Sequence, residues 1–396
     1  MKKFIKLLAV ALAAAALAGC SLVSINTEKI TVATVGEDTI TKAAFDEGFN
    51  AFLAQYGYTQ DSTEIADQLP DLKEQYINMM VQNLVIEQKI EELGLGEVTD
   101  EEKAAAEQSV QDWYDEQFAQ LVETYSADET VEDPEAEATT TIENYLSYYG
   151  TTLEQMKQEE VDYVPTQKLY DEVTKDITVT EEQIESQFAT LVSEAKTEYD
   201  EDKSAFVTDY QSGNTIYYTP EGMFFVKHIL IGLTEEQQQE IKDLRADEDE
   251  TVAATADAKR DEYLLTIREE AEAVLARVDA GEDFDALIEE YGDDPGMSAY
   301  PDGYLTYVGD TSFVDEFAAA CEALTEDGMT SGLVGSDFGY HIIRRVSTLP
   351  AGEATLADVH DALQESMLQE AKDTAYSDQI AAWVEEANVT IETGRL

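Results

Sequence analysis

Two of the chain's three histidines sit at the heads of apolar runs. His341 lies in FGYHIIRRV (338–346) and His228 in VKHILIG (226–232), and both stretches read as buried β-strands. One such imidazole is a core histidine held by a backbone partner, because buried polar groups find partners. A second in the same setting shifts the balance towards chemistry. Zinc is one candidate, since two histidines and an aspartate could ligate it, but no third strong ligand or cysteine accompanies them, so we expect no metal and no cofactor. Cys321 lies in the helical-looking EFAAACEAL and reads as a small packed residue rather than a nucleophile. His360 falls on a helical tail and reads as solvent-facing.

Cys20 has a different chemistry. Lys2, Lys3 and Lys6 precede the apolar run 7–18, which closes on Leu17-Ala18-Gly19-Cys20. The run is shorter than the ~20 apolar residues of a membrane span. The ending resembles a bacterial lipobox, which implies that 1–19 is a lipoprotein signal peptide and that Cys20 carries the lipid. The expected location is the outer face of the bacterial cytoplasmic membrane.

The remaining composition supports folding, with 43% hydrophobic and 9% aromatic residues in 396. That length allows two or three domains. Eighty-six acidic against 24 basic residues give a formal charge of −62. Such a surface repels phosphate and excludes nucleic acid as a partner.

Several elements must position the two histidines. Ile30 and Val32 alternate in a short strand, VGEDTIT turns the chain at Gly36, and Thr41 caps a helix whose Phe45, Phe49, Phe52 and Leu53 share one face. Residues 72–93 form a second amphipathic helix, stopped by Gly94. Thr99 with Glu102 and Thr180 with Gln183 have capping-box spacing. Residues 126–140, acidic and aperiodic, read as a long solvated loop. The composition changes at Pro220 and Gly222, where a strand, an acidic insert (235–260), helices and two further strands give an α+β pattern up to about 348. Beyond Pro350 and Gly352 the chain returns to helix and ends on a short Val389/Ile391 strand. Pairing of Ile30/Val32 with Val389/Ile391 would make the α+β unit an insertion in a discontinuous first domain.

Four blocks now carry a resemblance: VKHILIG (226–232), GEDFDALIEEYGDD (281–294), FVDEFAAACEAL (313–324) and GMTSGLVGSDFGYHIIRRV (328–346). In order and spacing they resemble a parvulin-type peptidyl-prolyl cis-trans isomerase. VATVGEDTITKAAFDEGF and EELGLGEVTDEE resemble the helical region of the PrsA/SurA foldase group. The resemblance implies a multidomain fold, in which a mostly α-helical chaperone domain (20–219 and 351–396) carries an inserted α+β parvulin domain (220–350). It implies paired histidines, His228 and His341, more suited to fixing each other's tautomer than to acid–base work. It also implies Asp294 (Asp293 being a one-residue alternative) near the substrate carbonyl, Ser336 in the histidine network, and a proline pocket of Leu305, Phe313 and Phe317. PDGYLTYV (301–308) keeps Gly303 and Leu305 but lacks the family's second small residue. The loop after the first strand has no arginine cluster, and its acidic insert repels phosphate. The partners implied are unfolded or partly folded secreted polypeptides and the membrane, through the Cys20 lipid, with homodimerisation left open. The alternative to catalysis is a holdase whose parvulin domain only binds.

Overall fold

The computed structural model describes residues 30–127, 130–246 and 250–396. The expected signal peptide (1–19) and Cys20 lie outside the described residues. The chain is mostly helical and divides into two compact units. One takes the described residues up to Thr178 together with Leu368–Leu396, and the other is Val179–Met367.

In the first unit, β1 (Thr31–Val35) and β2 (Asp38–Thr41) form a hairpin around Gly36, whose φ of 60° favours glycine. Thr41 ends β2 and caps α1 (Lys42–Gln55), its hydroxyl accepting from Ala44 N–H at 3.2 Å. Phe45, Phe49 and Leu53 bury one stripe of α1 against Tyr76, Ile77, Val81 and Val85 of α2 (Leu69–Glu92). Each such side chain removed from water contributes roughly 1.5–3 kcal/mol. The expected pairing of the chain ends is present: β9 (Thr390–Ile391) runs antiparallel to β1, with Ala33 opposite Ile391. Trp383 and Val384 then pack on the same core as the phenylalanines.

Three further helices follow, α3 (Asp100–Ser126), α4 (Pro134–Tyr148) and α5 (Leu153–Thr174). The Thr99–Glu102 capping box at the start of α3 is complete. The expected loop over 126–140 is only half loop. Pro134 occupies the first helical turn of α4, Asp133 caps it through Ala136 N–H, and Ala138 is already fully buried. An acidic first turn suits a helix N-terminus, and that hid α4 from a reading based on apolar period alone.

The second unit opens with α6 (Glu181–Glu201), behind the complete Thr180–Gln183 capping box, and α7 (Lys203–Gln211). Its centre is a four-stranded antiparallel sheet in the order β5-β4-β7-β6, made of β4 (Met223–Gly232), β5 (Tyr304–Tyr307), β6 (Val334–Ser336) and β7 (Gly339–Thr348). Alternation along β4 divides its side chains between two faces. Ile229 and Ile231 meet Ala271 and Val274 of α9 (Ala256–Asp279) and Phe284 and Leu287 of α10 (Phe284–Tyr291). Phe224 and Val226 point the other way, to Phe317 and Cys321 of α11 (Asp315–Ala323). At one end of the sheet Tyr199 and Phe206 of α6 and α7 pack on Met223 and Leu305, so this unit reaches beyond the 220–350 limits read from the sequence.

The acidic insert contains α8 (Glu235–Arg245), capped by Thr234. Arg245 forks onto Asp337 at the β6–β7 turn. A two-residue ladder joins β3 (Tyr218–Thr219) to β8 (Gly352–Glu353). The last helix, α12 (Leu356–Glu386), carries His360, whose Nε2 lies 3.1 Å from Glu181 and Nδ1 3.0 Å from Asp361.

Candidate active site

β4 and β7 pair with Leu230 opposite His341 and His228 opposite Ile343. His228 and His341 therefore share the face that α11 covers, one rung apart. Their Nδ1 atoms lie 3.1 Å apart, and each residue is 4% exposed. Gly339 makes this close pairing feasible: its φ is 145°, and a Cβ there would stand 2.2 Å from Ile231 O.

The network continues from both rings. His341 Nε2 is 2.7 Å from Ser336 Oγ, which accepts from Phe338 N–H at 3.1 Å. His228 Nε2 is 2.6 Å from Asp294 Oδ2. Asp294 also accepts from Tyr304 O–H at 2.8 Å and, through Oδ1, from Gly296 N–H at 2.9 Å. These donors, the His228 bond first, hold the Asp294 carboxyl far below the usual carboxylate range. Burial, with the neighbouring His228 adding to it, pulls His341 down to about 3, so it is neutral at physiological pH.

Proton positions follow by elimination. An ionised Asp294 only accepts, so His228 Nε2 carries a hydrogen. The neutral His341 ring has one donor and one acceptor nitrogen, so it donates towards one of His228 Nδ1 and Ser336 Oγ and accepts from the other. A chain satisfied in this manner is rigid, and leaving any member unpaired costs about 1–3 kcal/mol.

Aromatic rings stand over this floor. Phe317 of α11 presents its ring edge-on at 5.1 Å from His228 and 5.3 Å from His341. Phe313 lies 5.0 Å from Phe317 and 5.7 Å from Tyr304. Phe313 and Tyr304 are half-buried, and the Asp294 side chain is 21% exposed, so this edge is open to a ligand.

Six of the residues named from the sequence meet here: His228, His341, Asp294, Ser336, Phe313 and Phe317. Leu305 does not. It pairs with Phe225 and is buried against Met223, Tyr218 and Phe206, on the opposite side of the sheet. The reason is parity. Gly303, with φ 97° and a Cβ position only 2.5 Å from Val226 O, lets β5 start hard against β4, and from there Tyr304 faces the site and Leu305 faces away. Tyr304 is the side chain at this site that sequence reasoning missed. It was visible as an aromatic beside a retained glycine, but only strand register could tell it from Leu305. Asp293, the alternative to Asp294, is instead a structural residue, its Oδ2 accepting from Gly232 N–H at 2.8 Å. Cys321 is buried behind Phe317 with its thiol pushed up to about 12 by burial, which removes it as a nucleophile. Among the described residues no group of three or more His, Cys, Asp or Glu is placed to hold a metal ion.

Two adjoining imidazoles thus lie under an aromatic cup, with a fixed carboxylate at the rim. Residues 228–347 match the PPIC-type PPIase domain, and residues 1–127 match the SurA-like N-terminal domain. The chain thus carries a PPIC-type PPIase domain and a SurA-like N-terminal domain. It is similar to the foldase protein PrsA of Clostridium tetani, 25% identical over 98% of this chain and 95% of that protein. The foldase protein PrsA of Clostridium acetobutylicum is 24% identical over 94% and 91%. Among solved structures, foldase protein PrsA from Streptococcus pneumoniae aligns over 90% of this chain and 93% of its own, at 16% identity and a TM-score of 0.29.

Proposed function

We propose that this chain is a lipid-anchored foldase on the outer face of the cytoplasmic membrane, which turns X-Pro bonds in unfolded or partly folded secreted polypeptides at the His228–His341 site. The observation that carries the reading is the unbroken chain Ser336–His341–His228–Asp294 beneath Phe313 and Phe317. In the anchoring part of the proposal, Cys20 bears the lipid; no helix among the described residues is long and apolar enough to cross a membrane. The catalytic domain is assigned to 220–350, inserted in a chaperone region of 20–219 and 351–396, and self-association into a homodimer is the remaining part of the proposal.

Rotation about X-Pro is opposed by amide resonance, a barrier of about 18–20 kcal/mol, and breaks no bond. The planar amide places negative charge on its oxygen, and the twisted one returns that charge to nitrogen. A fixed anion beside the oxygen therefore disfavours the planar state more than the twisted one, which is the role assigned to Asp294. Phe313 and Phe317, with Tyr304 at their side, grip the proline ring and keep the surroundings apolar, which favours the less polar twisted amide. His228 and His341 hold Asp294 and the floor in register without passing a proton. Ser336 locks the tautomer of His341.

A tetrapeptide X-Pro isomerisation assay tests the reading. Wild type should accelerate the exchange and His341→Ala should lose at least about tenfold, equivalent to 1.36 kcal/mol of barrier. Equal, negligible activity in both, with protection of a refolding client intact, would leave a holdase in place of an enzyme.

A further inference from the structure

From Ala104 to Met156 the chain carries no lysine or arginine, while Glu107, Asp112, Asp115, Glu116, Glu123 and Glu143 are among its carboxylates. α4 lies within this stretch. It buries Ala138, Ile142 and Leu146 as its packing stripe, yet its last turn and C-cap expose three tyrosines. Tyr148 is 84% exposed, Tyr149 44% and Tyr145 41%. The rings touch: the Tyr145 and Tyr149 centroids are 4.9 Å apart and those of Tyr148 and Tyr149 5.2 Å. Large exposed aromatics in mutual contact mark a binding surface more often than an idle one.

Three features converge on the charge of its occupant. The tyrosine faces attract cations. The helix C-terminus concentrates carbonyl dipoles there, and no basic residue occupies the last turn of α4 to neutralise them. The stretch itself contributes carboxylates and no cation, although Lys157 reaches Gln111 of α3 at 2.8 Å. We infer that Tyr145, Tyr148 and Tyr149 form a docking surface for arginine- and lysine-bearing segments of unfolded polypeptides. This rests on the foldase reading and adds to it a position and a preference: clients are captured by their basic segments at the end of α4, on a different unit from the one that carries the His228–His341 site. A second copy of this chain fits less well, because it would bring carboxylates against carboxylates.

The test is fluorescence anisotropy on the full chain with labelled, unstructured Gly/Ser peptides carrying either four arginines or four glutamates. The arginine peptide should bind and the glutamate peptide should not, and binding should weaken as salt rises from 50 to 500 mM. The Y145S/Y148S/Y149S variant should lose at least about fivefold in affinity, and Tyr148→Ser, at the most exposed position, should lose part of this without risk to the fold. Isomerisation of a tetrapeptide should be unchanged in both. Equal binding of the two peptides, or wild-type affinity in the triple variant, would overturn the surface assignment while leaving the foldase reading intact. A light-scattering dimer in wild type that the triple variant abolishes would assign the patch to self-association and also overturn it. Absence of both X-Pro isomerisation and client protection in wild type would remove the foldase reading itself.

Discussion

Asp294 is the residue on which the electrostatics of the site turn. It accepts three hydrogen bonds, from His228, Tyr304 and Gly296, yet remains partly open. Asp294→Asn keeps an acceptor in place and removes the charge, so a charge-based role requires kcat to fall by about tenfold or more with KM little changed, read in the tetrapeptide assay. Acid should also act on stability through this network. His341 and Asp294 both have folded-state values below their unfolded ones of 6.5 and 3.8, so the unfolded chain binds more protons in acid. Their contribution is complete at neutral pH and is lost as pH falls, first through the His341 window from 6.5 to about 3 and then through that of Asp294. Unfolding followed between pH 7 and 3 should show a shallower loss for His341→Gln, by up to one proton in the slope. Most of these residues were legible in the sequence because the parvulin resemblance rests on the order and spacing of several blocks within one unit. Leu305 was misassigned because spacing does not determine which face of a strand a residue takes.

Strands and helices set the tolerances within which those residues meet. Gly303 is one narrow point, combining a positive φ with a carbonyl 2.5 Å from where a Cβ would be. Gly303→Ala should displace β5, carrying Tyr304 away from Asp294. Thermal unfolding should reveal a loss of at least about 2 kcal/mol, together with reduced isomerase activity. A second element-level expectation concerns α12 and α6. Asp361 and Glu181 raise the His360 pKa, so the clasp between these helices is fully formed below the unfolded value of 6.5 and fades as pH rises through the folded value. Helices with a strong apolar period, such as α1 and α2, or a capping box, such as α6, could be read directly. α4 and β5 could not: the start of α4 is acidic rather than apolar, and β5 is four residues long.

The first and last strands of the described residues meet in one sheet. β9 pairs with β1, Glu392 N–H reaches Val32 O at 2.8 Å, and Trp383 lies on the Phe45–Phe49 core. Removing residues 388–396 would uncover β1 and should lower the urea midpoint of the unit that contains it, followed by tryptophan fluorescence, while isomerisation of a tetrapeptide continues. This discontinuity was visible in the sequence as matching apolar alternation at both termini. The extent of the second unit was not, because α6 and α7 join it through tertiary packing of Tyr199 and Phe206 on the sheet. Catalysis by a site that restrains and desolvates an amide, with no proton in flight, is most directly tested by NMR exchange rates of an Ala-Pro peptide from pH 6 to 8.5. The account requires a flat catalysed rate in wild type and a fall of at least about thirtyfold, or 2 kcal/mol, in Phe317→Ala. A rate that follows a single-proton titration across that range, or a Phe317→Ala variant as fast as wild type, would contradict it.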